Sequence, residues 1–102
     1  MFTYFASHKT TDVQGWIDAA NGMMKDPEFL NRFEAMGIKG WRAYKWADGD
    51  GVTIAHDFAD KAQAEKFHQM AQSDEFQAMI KQSGGILPMR EWFSEPVIDM
   101  SM

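Results

Sequence analysis

The chain has no cysteine in its 102 residues, so disulfides, thiolate metal sites and cysteine nucleophiles are excluded from the start. It also has no long apolar run. Nothing approaches the ~18 apolar residues a membrane-crossing helix needs, and Met1 to Thr11 does not read as a basic segment followed by an apolar one. Excess positive charge is missing too. The formal net charge is −5 and no Lys/Arg cluster interrupts it, which argues against a nucleic-acid footprint. A cytoplasmic protein is the expectation. There is no glycine-rich phosphate loop, since Gly84-Gly85 follows a helical pattern and so has the wrong polarity. No serine sits in a nucleophile elbow either. Asp48-Gly49-Asp50-Gly51 fails as a calcium loop, with Trp46 where an acidic ligand and Asp57 where a Glu would be needed, and it reads as a turn. The Lys61-to-Lys66 stretch, with Asp60 and Glu65 interleaved, is a solvated helix face.

What is present is ordinary in bulk and uneven in detail. An apolar fraction of 45% and a charged fraction of 25% suit one globular domain of this length. Nine methionines and four tryptophans are many, and filling a small core is their simplest use. The stretch Gly37 to Asp60 has two runs rich in β-branched and aromatic residues around an Asp/Gly loop, which predicts a hairpin at the centre of a sheet.

Phe2–Lys9 reads as a first strand, with Tyr4, Ala6 and His8 on one face and Thr3, Phe5 and Ser7 on the other. Thr10-Thr11-Asp12 offers a helix cap, and Val13, Trp16, Ile17, Ala20, Met23 and Met24 recur at helical spacing. Asp26-Pro27-Glu28 restarts a helix that stops at Gly37. After the hairpin strands, near 39–46 and 52–58, Ala64, Phe67, Met70 and Ala71 mark another helix. Ser73-Asp74-Glu75 restarts it, Gly84-Gly85 ends it, and a last strand runs over about 86–93.

A shift of 47 positions lays Met23 on Met70, Glu28 on Glu75, Phe29 on Phe76 and Gly37 on Gly84. Two halves with this shared grammar make β-α-β-β-α-β. The expected fold class is therefore α+β and ferredoxin-like: a four-stranded antiparallel sheet with helices on one face, occupying residues 1–94. Right-handed crossovers are expected to bring strands 1 and 3 side by side and parallel at the centre. Val52, Ile54, His56 and Phe58 share one face of the third strand. Trp41, Ala43 and Lys45 alternate with Arg42, Tyr44 and Trp46 on the second. Large rings on both faces imply a partner sheet and hence a homodimer. The tail, 95–102, keeps Val97, Ile98, Met100 and Met102, which suggests docking across that dimer.

Four segments carry a family resemblance. His8-Lys9-Thr10-Thr11-Asp12-Val13-Gln14-Gly15-Trp16 resembles the end of the first strand and the start of the first helix in small dimeric α/β-barrel proteins related to antibiotic-biosynthesis monooxygenases. Gly37-Ile38-Lys39-Gly40-Trp41-Arg42-Ala43-Tyr44 resembles their entry into strand 2, and Ile54-Ala55-His56-Asp57-Phe58 their strand-3 ending. Ser73-Asp74-Glu75-Phe76-Gln77-Ala78-Met79, with Gly84-Gly85-Ile86 and Pro88, resembles their last helix and turn. The likeness spans Phe2 to about Glu95. It implies a dimer whose two sheets close into a barrel, in a branch without a clear assigned activity. Family activities include cofactor-free oxygenation, cyclisation, isomerisation and haem degradation. The Asn/Trp/His set of the haem-degrading branch is missing in the expected order, which argues against haem degradation; no cofactor and no metal are expected.

Two groups of residues are candidates for chemistry. His8 and His56, on strands taken as parallel neighbours, are expected at similar height, where one imidazole serves as general base and the other tunes it. The alternatives are two metal ligands lacking a third, or hydrogen-bonded histidines with no catalytic duty. His68 flanks the helix layer. Trp41, Arg42, Tyr44, Trp46 and Trp92 are candidates to line an apolar pocket between sheet and helices, with Arg42 or Arg90 taking an anionic group. The same rings also suit core and dimer interface. Two functions follow: a module binding a small apolar or aromatic molecule, or a cofactor-independent monooxygenase, cyclase or isomerase with a histidine base.

Overall fold

The computed structural model describes residues 1–98 and 100. In order, the elements are β1 (Phe2–Thr10), α1 (Val13–Met24), α2 (Pro27–Ala35), β2 (Ile38–Lys45), β3 (Gly51–Phe58), α3 (Lys61–Ala71), α4 (Asp74–Gln82) and β4 (Gly85–Ser94). The anticipated caps form. The Asp12 carboxylate accepts from the Gly15 N–H at 3.0 Å, and Asp26 accepts from Glu28 N–H ahead of Pro27. Asp60 and Ser73 cap α3 and α4 in the same way. Gly37 and Gly84, which the internal echo superposes, end their helices with φ of 86° and 88°. That conformation is one a side chain resists, which explains the repeated glycine.

The sheet order is β2-β3-β1-β4. Every adjacent pair is antiparallel. Strands 1 and 3 are central neighbours as expected, but their expected parallel direction is wrong. A right-handed crossover makes β1 parallel to β2, and the tight β2–β3 hairpin then reverses the chain, so β3 runs against β1. The hairpin is also only half central, because β2 is an edge strand.

Register sorts the side chains. Tyr4 faces His56, Ala6 faces Ile54 and His8 faces Val52 across the central ladder. These residues point to the helices, where Tyr4, Ala6, Ile38, Phe58, Ala64 and Phe67 form the core with Phe2, Phe33, Trp41, Met70, Met89 and Phe93 around it. Phe67 is the keystone of that cluster. Its ring lies within 5.7 Å of the rings of Tyr4, His56 and Phe58. The opposite, open face carries Thr3, Phe5, Ser7, Arg42, Tyr44, Arg90 and Trp92, and among the described residues no helix covers it. Among the described residues no helix is long and apolar enough to cross a membrane.

Candidate functional site

The helix face holds a cleft of about 310 Å³ between α1 and the β2 edge, bordered by Trp16, Ile17, Ala20, Asn21, Trp41 and Val52, with Ala43 and Lys45 further along β2. The Trp16 and Trp41 rings lie nearly parallel, 6.5 Å between centroids, and Phe33 tilts against Trp41 from α2. The small Ala20 leaves the opening. Two indoles, one alanine and an exposed rim of Asn21 and Lys45 suit a flat apolar molecule with a polar edge.

Both candidate histidines are buried on this face. They do not come together. Because β1 and β3 are antiparallel, His8 lies opposite Val52 and His56 opposite Tyr4, four residues apart along the ladder. That places them about 13 Å apart. The expectation of similar height fails with the parallel direction it rested on. Each stands one residue behind the cleft wall: His8 meets Trp16 edge-on at 6.4 Å, and His56 is the cross-strand partner of Trp41. His8 Nδ1 lies 2.9 Å from the Lys9 carbonyl, and His56 Nδ1 lies 3.2 Å from that of Tyr4. For His56 the tautomer with the proton on Nδ1 satisfies this contact. Burial lowers the His56 pKa to about 4, against smaller upward pulls from the Tyr4 carbonyl and Asp57. The ring is therefore neutral at pH 7.

The pocket residues named from sequence divide between the two faces. Trp41 lines the α1 cleft. Arg42, Tyr44, Trp46 and Trp92 belong to the open face, although Arg42 and Tyr44 also border the cleft at the sheet edge. Arg42 is already engaged: its guanidinium pairs with Asp57 and its Nε donates to the Tyr44 hydroxyl at 3.2 Å. The same ion pair, together with the hydrogen bond from Thr3, holds the Asp57 carboxyl below its ordinary range despite a smaller opposing effect of burial. Trp46 folds back over the hairpin and donates from Nε1 to Thr53 Oγ1 at 3.0 Å. Gly51 makes room for it, since a Cβ there would fall 2.5 Å from the Trp46 ring.

A second polar group on the helix face was not anticipated. The Tyr4 hydroxyl and the Gln72 side-chain amide both donate to Glu91 Oε1, the latter at 2.7 Å, and His68 Nδ1 stands 3.6 Å from the same oxygen. Burial first, and then the Glu91 carboxylate, raise the Tyr4 pKa, so its hydroxyl stays a donor. The network ties α3 to β4 over the rings of Tyr4 and Phe93. A signal for it was available, because Glu91 alternates with Met89 and Phe93 on the core side of the last strand. Among the described residues no three His, Asp or Glu side chains are grouped to hold a metal ion.

No protein-family model matches the chain, and no curated relative does. Solved structures do. A dimeric ferredoxin-like protein from an uncultured marine organism aligns over 97% of both chains with a TM-score of 0.66 at 13% identity. A monooxygenase of Streptomyces coelicolor, solved with nanaomycin D, aligns over 99% of this chain and 91% of its own, with a TM-score of 0.72 at 14% identity. An antibiotic biosynthesis monooxygenase aligns over 96% and 100%, with a TM-score of 0.57 at 8% identity. The chain has the ferredoxin-like fold of these proteins. Their variety of descriptions shows that the fold alone does not choose an activity.

Proposed function

We propose that this protein is a cytoplasmic homodimer that binds a small apolar or aromatic molecule between α1 and the sheet. The observation that carries the reading is the pair of near-parallel indoles, Trp16 and Trp41, bordering an open cleft of about 310 Å³. The dimer is supported by the uncovered open face and by the description of a structural neighbour as dimeric. Cofactor-independent monooxygenase, cyclase or isomerase chemistry is the second reading. It is favoured by His56, neutral at pH 7 and next to Trp41 across the ladder. Such a base has to come within about 3 Å of the substrate proton, so Trp41 has to shift when substrate binds.

Indole and nanaomycin D are suitable probes, read through tryptophan fluorescence. Ala20→Trp fills the cleft and is expected to weaken binding at least about tenfold in a protein that still unfolds cooperatively, with its stability lowered by about 1–3 kcal/mol. Unchanged affinity in a folded Ala20→Trp protein rules the cleft out. For the catalytic reading, nanaomycin D and its reduced form are incubated with protein in air. Turnover that survives both His8→Ala and His56→Ala eliminates a histidine base.

A further inference from the structure

A concavity larger than the α1 cleft, about 520 Å³, lies mostly on the open face at the hairpin end of the sheet, with His8 and Leu87 reaching its edge. Ser7 and Lys9 come to it from β1, Trp46 from the hairpin, and Ile86, Pro88, Arg90 and Trp92 from β4. Along β4 the even-numbered residues alternate outward, so these four share one exposed stripe. The Arg90 guanidinium sits 5.9 Å from the centre of the Trp92 ring, and Phe5 stacks on that ring at 5.2 Å. Among the described residues neither Lys9 nor Arg90 forms an ion pair. The groove is thus apolar with two cations, in a chain of net charge −5.

Its complement is the C-terminal segment. Val97, Ile98 and Met100 are 91%, 85% and 76% exposed, the most solvent-exposed large apolar side chains described. Glu95 and Asp99 alternate with them in the sequence. Apolar side chains spaced by carboxylates match an apolar groove edged by a lysine and an arginine.

The segment cannot reach the far end of its own groove, where Ile86 lies. β4 begins at the groove and ends at Ser94, beyond which Val97 and Ile98 are only three and four residues away. Fully extended, four residues reach about 14 Å. Ile86 lies eight residues back from Ser94, about 26 Å along the strand. A second copy related by a two-fold axis, with its open face on this one and its strands reversed, brings its own tail to this end.

We propose that the groove formed by Lys9, Trp46, Ile86, Pro88, Arg90 and Trp92 receives the C-terminal segment of a second copy, with Val97 and Ile98 on its apolar floor. The exchange is reciprocal, so each groove is complete only in the dimer. This rests on the homodimer reading above and adds to it a specific contact.

The absence of cysteine gives a clean test. Chains carrying Ile86→Cys and chains carrying Ile98→Cys are mixed, exchanged by dilution and reconcentration, and oxidised mildly. Both positions are exposed, so the folded monomer tolerates the changes; Lys9→Cys, opposite Ile86 across the β1–β4 ladder and exposed, is the substitute acceptor if Ile86→Cys fails to fold. A disulfide-linked heterodimer is expected in the mixture at least about tenfold faster than a linked homodimer in either variant alone, because docking raises the local thiol concentration. A double variant that instead forms its disulfide within one chain overturns the exchange. So does a mixture that stays dimeric by sedimentation yet does not cross-link, and in that case the homodimer stands. A monomer by sedimentation removes the homodimer reading and the exchange with it.

Discussion

The two faces of the sheet are built from the same strands and behave differently. On the helix face, Tyr4, Ala6 and His8 of β1 and Val52, His56 and Phe58 of β3 are buried, Phe67, Ala64 and their neighbours pack on that face, and each of the two histidine rings sits against a backbone carbonyl. On the open face the equally large rings of Tyr44 and Trp92 remain 52% and 38% exposed. Under the proposed function, the half-wet rings of the open face await a partner copy and the opening beside the stacked indoles awaits a ligand. The difference teaches that aromatic content in a strand says little until the face is known.

Four changes sharpen that contrast. Phe67→Ala strikes the helix face at its most connected ring, and a loss of about 3–5 kcal/mol in urea unfolding is expected, with no change in m-value. Loss below about 1 kcal/mol would mean that the core is organised elsewhere.

Acidification should affect the same face next. The folded His56 pKa of about 4 lies below the ordinary 6.5, so the unfolded chain takes up that proton first as pH falls. Stability is full above about pH 6.5, declines as pH falls towards 4 and then levels for this group, by at most about 3 kcal/mol. Asp57, whose carboxyl is held low, withdraws its own contribution only below about pH 4. His56→Gln should flatten the first decline and leave the second. A wild-type profile level between pH 6.5 and 4.5 contradicts the buried neutral ring.

Trp92→Ala targets the open face. It is expected to weaken self-association about thirtyfold, near 2 kcal/mol, while changing unfolding of the dilute monomer little. An unchanged dimer dissociation constant would put the interface somewhere else. Arg42→Ala, which breaks an ion pair whose arginine is nearly half exposed, is expected to cost the monomer less than about 1 kcal/mol, and less in high salt.

Much of the fold was legible in the sequence because local chemistry decides it. Asp12, Asp26 and Ser73 are cap residues wherever they occur before a helical pattern, and Gly37 and Gly84 stop helices for a backbone reason. Strand direction was misread because crossover handedness relates β1 to β2, and the reversal in the hairpin has to be counted before β3 is placed. That single error carried His8 to the height of His56. The site was harder still. Trp41 and Trp46 were named together, yet five positions and a turn put one beside Trp16 and the other on Thr53. Which hydroxyl a core-facing carboxylate meets depends on the pairing of β1 with β4. Glu91 therefore gained its partner Tyr4 only in three dimensions.

The four tryptophans report on the division directly: Trp16 and Trp41 stand on the helix side, Trp46 and Trp92 on the open side. Fluorine NMR of the fluorotryptophan-labelled protein, with each resonance assigned by a single Trp→Phe substitution, follows both faces in one sample. Dilution from the dimer towards the 11.7 kDa monomer should move Trp46 and Trp92, and indole should move Trp16 and Trp41. Indole shifts confined to Trp46 and Trp92, or no tryptophan responding to dilution, would contradict the assignment of ligand to one face and partner to the other.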